Sequence, residues 1–160
     1  MHIIMAAQQA AELAEQNVIV IEGKTVPQGI TAMLNFSPDL SVDELREVMT
    51  DSLSGVTTML ITYAARDSDF DDYEIHEGDY MALYNGALVG TDKSLPALVM
   101  TLAELVRRDD REFINIYYGA DIDEAQAQEV ADCFTELCGG ADVNLINGGQ
   151  PVYYYMISAE

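Results

Sequence analysis

A chain of 160 residues that is 49% hydrophobic can bury one core, or two small ones, and is too apolar to be disordered. Seven Lys and Arg against twenty-eight Asp and Glu leave a net charge of -21. That balance argues against nucleic acid and anionic membrane surfaces, which need cations to displace counterions or meet headgroups. It fits a strongly solvated surface, or one that steers a basic partner.

Met1 to Gln16 reads as a helix, with Ile3, Ile4, Ala7, Ala11 and Ala14 at three- and four-residue spacing. No Ser, Thr, Asp or Asn precedes it as a cap, so the expectation is a chain that opens inside a helix of a larger protein. Val18-Ile19-Val20-Ile21 is β-branched throughout, the habit of a parallel strand covered on both faces. The loop Glu22 to Gly29 would then leave the strand's carboxyl end, where α/β sheets meet their ligands. A short helix is expected between Gly29 and Leu34.

Ser41 with Glu44 three residues on forms a capping box for a helix ending at Gly55. Val56 to Ala64 reads as a strand, and Arg66 to Asp72 as an acidic connection between two lobes. Asn85-Gly86 between apolar runs marks a type I′ hairpin. Ser94 and Pro96 open a helix that ends in Arg107, Arg108 and Arg111, cations suited to a helix carboxyl end. Phe113 to Tyr118 is a strand, and Asp121 or Asp123 opens a helix closed by Gly139-Gly140. Val143 to Ile146 and Pro151 to Ser158 are the last strands. The expected fold class is α/β: an incomplete parallel α/β lobe over residues 1–66 and a two-layer mixed sheet with two helices on one face over 73–160.

Few residues point to chemistry. His2 and His76 sit in no triad or metal-ligand spacing. Asp67, Asp69, Asp71 and Asp72 lack the glycine and the closing Glu of a calcium loop. Cys133 and Cys138, five apart on a helix, turn to different faces and read as free thiols in a reducing cytoplasm. Gly148-Gly149 is a turn or a phosphate cradle, and the former is commoner. Tyr153-Tyr154-Tyr155 reads as strand packing with one ring exposed. No run reaches the roughly 20 apolar residues of a membrane span, and the amino end lacks a signal peptide's basic segment. No catalytic residue and no metal site is assigned. The partner- or ligand-binding candidates are Lys24, Thr25, Gln28, Gly29 and Arg66. Two cations in so acidic a chain suit a carboxylate or phosphate; the alternative is that Arg66 neutralises nearby aspartates and Lys24 is solvated.

A set of short motifs in order carries a family resemblance. They are Ile3 to Ala11, Thr25 to Met33, Ala65-Arg66-Asp67, Glu77 to Tyr80, Tyr118-Gly119-Ala120 and Gly148 to Tyr153. Together they resemble the carboxyl-terminal region of the bacterial fatty acid kinase family, whose amino-terminal domain is dihydroxyacetone-kinase-like. The resemblance implies a DegV-like fold and a docking role toward a separate fatty-acid-carrier protein of DegV-like fold. It implies that ATP and magnesium belong to the kinase domain absent here, so this chain holds no cofactor and turns nothing over. The alternative is a stand-alone DegV-like fatty-acid-binding domain. Self-association through the first helix or the Val18–Ile21 edge is expected if a lobe is incomplete.

Overall fold

Residues 2–70 and 73–160 are described by the computed structural model. They fall into two units, Met1–Val56 and Thr57–Glu160.

The first unit is helical. It holds α1 (His2–Glu12), α2 (Val26–Leu34), α3 (Val42–Ser52) and a single 3₁₀ turn, Leu53–Gly55. Helix α1 buries none of its residues, and Ile3 and Leu13 near its two ends are 84% and 87% exposed. Helix α2 starts earlier than the glycine suggests. Thr25 is its extended N-cap and its hydroxyl accepts from the Gln28 amide; Pro27 sits in the first turn, where a missing N–H costs nothing. Helix α3 begins on the expected capping box: the Ser41 and Glu44 side chains each accept from the other residue's backbone N–H. Those bonds hold the Glu44 carboxyl below the usual carboxylate range. Pro27, Thr31, Ala32 and Leu45 are the buried members of these helices.

Val18–Ile21 corrects the sequence reading. It forms no strand, and no strand exists among the described residues of this unit. A strand is defined by ladder bonds to a neighbour, and β-branched composition cannot supply the neighbour. The α/β class therefore rests on the second unit.

The second unit contains β1 (Thr57–Tyr63), β2 (Ser68–Phe70), β3 (Tyr73–Ile75), β4 (Tyr80–Tyr84), β5 (Ala87–Asp92), α4 (Leu95–Asp109), β6 (Phe113–Tyr118), α5 (Glu124–Leu137), β7 (Asp142–Asn147) and β8 (Tyr155–Ala159). Six strands form one mixed sheet in the order β5-β4-β1-β8-β6-β7. Only β6 and β7 run parallel, joined through α5; every other pair is antiparallel. The division between units falls ahead of β1 because both partners of that strand lie downstream. Part of the expected acidic connection is itself a small hairpin, β2 against β3. Asp71 and Asp72, half of the weak calcium pattern, lie outside the described residues.

The Asn85-Gly86 turn has positive φ at both residues, 49° and 84°, as a type I′ turn requires. The cross-strand register then sorts the sheet into two faces. Met59, Ile61, Ala82, Ile114, Ile116, Tyr155 and Ile157 pair with one another and form one buried layer. Leu98, Leu102 and Val106 of α4 and Val130 and Phe134 of α5 join the same core cluster, giving the two-layer lobe. Asp123, rather than Asp121, opens α5 through a capping box with Gln126. The final strand begins at Tyr155 rather than Pro151, and the residues before it form a loop.

Candidate functional site

Four of the five sequence candidates lie on the loop into α2, and their polar groups are mostly engaged locally. The Gln28 side chain accepts from the Lys24 amide (2.9 Å) and donates to the Leu53 carbonyl (3.3 Å). Thr25 caps the helix, and the Gly29 amide donates to the Thr25 carbonyl (3.1 Å). Lys24 is exposed, and no atom lies within 4 Å of where a Gly29 side chain would begin. The loop is thus a preformed, tied-down surface offering one cation and one bare backbone patch. Arg66 belongs to the second unit, exposed between β1 and β2.

His76 is exposed, with Glu74 3.9 Å away, and its amide donates to the Asp79 carboxylate in the turn before β4. Among the described residues no three His, Cys, Asp or Glu side chains are grouped to hold a metal ion. Both cysteines are free and half-buried, and burial pushes both thiols up. They pack against one core rather than turning apart. Cys138 is the non-helical residue that ends α5, which lets its thiol approach the Ala103 carbonyl of α4.

The parallel pair β6/β7 brings together a loop that periodicity alone does not find. Gly148 to Tyr154 folds over the carboxyl end of β6. The Gly148 and Gly149 amides donate to the Tyr118 carbonyl, the Ala120 amide to the Gln150 carbonyl, and the Gln150 side-chain amide to the Tyr117 carbonyl. A Cβ on Gly119 would lie 2.3 Å from the Tyr153 carbonyl oxygen. Val152 sits at φ 72°, a costly position for a β-branched residue, while the Thr62 hydroxyl donates to its carbonyl at 2.9 Å. The loop's own bonds over-determine that strain. Gly148-Gly149 is therefore turn material. Val152 and Tyr153 are left 53% and 36% exposed, beside an edge-to-face trio of Tyr63, Tyr80 and Tyr154. Of the tyrosine run, Tyr155 alone enters the strand and is fully buried.

A second feature lies where the amino ends of α4 and α5 pass over the start of β8. Leu95, Pro96, Val99 and Met100 of α4 face Val130 and Cys133 of α5 across a cavity of 520 Å³. That size lies within the range of small-molecule pockets. Lys93 and Glu129 are its charged lining residues, and Tyr155 also lines it. The Tyr155 hydroxyl is buried with no hydrogen-bond partner. Burial first, and then the Asp123 and Glu129 charges, push its phenol up to about 12. No sequence pattern signals this pocket, because its walls are ordinary core residues at helical spacing.

Known proteins share this architecture. The family model for the carboxyl-terminal region of FakA-like fatty acid kinases matches residues 1–160. Protein YloV of Bacillus subtilis is 38% identical over 160 residues, which cover 99% of this chain and 29% of that protein. The chain thus spans under a third of that relative. A DegV family protein of Corynebacterium glutamicum superposes with a TM-score of 0.67 at 17% identity, over 97% of this chain and 69% of the other. A DegV family protein of Eubacterium eligens, loaded with heptadecanoic acid, gives 0.66 at 15% identity over 98% and 66%. At such identities the likeness is one of fold: the chain has the DegV fold.

Proposed function

The chain belongs to the FakA-like, C-terminal family of fatty acid kinases, and from that premise we propose that it is the non-catalytic docking module of a fatty acid kinase. It offers a surface to the fatty-acid-carrier protein, itself of DegV-like fold, so that the acyl carboxylate is phosphorylated by an ATP- and magnesium-bearing domain elsewhere in the longer protein. The observation that carries this reading is the family match across all of residues 1–160, a span that makes up only 29% of its relative YloV. Two preformed surfaces are available for contact. One is the capped loop with Lys24, Thr25, Gln28 and Gly29; the other is the tied loop with exposed Val152 and Tyr153. Aromatic and apolar side chains on rigid backbone are what interface hot spots are made of. Arg66 adds a cation on the second unit. The free thiols suit a reducing cytoplasm, and the bare apolar face of α1 suits self-association.

The test is a pulldown with the tagged chain as bait and the carrier identified by mass, together with an assay for ATP turnover. Recovery of the carrier without turnover is expected. Absence of the carrier, or turnover by this chain, overturns the reading.

A second reading, that the chain itself holds an acyl chain, is favoured by the apolar pocket between α4 and α5. Native mass spectrometry checks it: a co-purifying acyl mass supports it and a clean apo mass opposes it.

A further inference from the structure

The α4–α5 pocket contains a polar group that the rest of the molecule does not satisfy. Tyr155 is fully buried, and its hydroxyl has no hydrogen-bond partner among the described residues. An orphaned buried hydroxyl costs free energy unless something arrives to meet it. Its neighbours decide what can arrive. Asp123 and Glu129 lie close enough to disfavour a second negative charge beside the phenol, yet neither accepts its proton. The phenol stays protonated through the physiological range, so it can donate. The walls around it, Leu95, Val99, Met100 and Val130, reward an apolar body.

We infer that this pocket binds a molecule with an apolar chain and an uncharged, hydrogen-bond-accepting oxygen, a ketone, ester or alcohol rather than a carboxylate, with the Tyr155 hydroxyl donating to that oxygen. The inference rests on the acyl-binding reading for the apolar body of the ligand and goes beyond it in the polar end. An acid would keep its carboxylate outside, near the exposed Lys93, and leave the hydroxyl unmet.

The test uses the full chain with 2-decanone and decanoate as probes, followed by NMR titration. A second readout is alkylation of Cys133, which lines the pocket, against Cys138, which does not. Expected results are saturable 2-decanone binding that protects Cys133 alone, and a loss of about tenfold in affinity for Tyr155→Phe, the scale of one hydrogen bond. Decanoate binds more weakly, and its affinity is unmoved by Tyr155→Phe. Glu129→Gln, a change on an exposed residue, raises decanoate affinity and leaves that of 2-decanone unchanged. Saturable decanoate binding with 2-decanone excluded, or 2-decanone binding equal in Tyr155→Phe, overturns the oxygen assignment and leaves acyl binding standing. Binding of neither probe overturns both.

Discussion

At the scale of single residues, two kinds of position hold the second unit's ligand-facing end in shape. Gly119 is the first. Its Cβ would stand 2.3 Å from one carbonyl oxygen and 2.8 Å from another, both backbone atoms that cannot step aside. Gly119→Ala is therefore expected to cost about 1–3 kcal/mol, the range of overpacking. A urea titration of the variant checks this; an unchanged midpoint would refute the close approach. The tyrosines are the second. Burial raises the Tyr155 phenol from 10.0 to about 12, and Tyr84, bonded to Asp109 at the end of α4, is likewise raised to about 12, with burial again the first cause. Because the folded pKa is raised, the neutral form is favoured by folding. The associated stability is complete below pH 10, and is lost as pH climbs from 10 to 12. Melting temperatures through that window should fall, and less steeply in Tyr155→Phe.

At the scale of elements, what the sequence reveals follows how local the cause is. Capping boxes and the Asn-Gly turn are chemistry within four residues, so Ser41-Glu44, Asn85-Gly86 and the start of α5 are readable from the chain. Asp123→Ala tests one of them: loss of the cap should cost about 1 kcal/mol and lower amide-exchange protection in the first turn of α5. Pairing is not local. Val18–Ile21 has a strand's composition and no partner among the described residues of its unit, while Ser68–Phe70 reads as acidic linker and forms a hairpin. The candidate site divides in the same way. Thr25 and Gln28 stand out as polar loop residues, and the structure uses both to cap and tie α2. The Gly148–Tyr153 loop is legible only through the family motif, since the strain at Val152 depends on bonds from Thr62, far away in sequence. The α4–α5 pocket is not legible at all, because a cavity is a gap between residues that each look like core.

At the scale of the whole molecule, the two units differ in how they can be stable. The second has a continuous core of both helices and the sheet. The first buries little, and α1 buries nothing. A fragment of residues 57–160 should therefore unfold cooperatively by itself, whereas residues 1–56 alone should show no cooperative transition by circular dichroism. The reverse result would mean that the sheet depends on the helices ahead of it. With a net charge of -21 and few titrating groups at its clefts, the molecule is better furnished for being bound than for making bonds. The most direct check is a calorimetric titration of purified, acyl-loaded carrier protein with this chain. A saturable complex of defined stoichiometry, weakened by a charge reversal at Lys24 or by Tyr153→Ala, is the predicted result. No heat of binding and no complex, with both proteins folded, would contradict it.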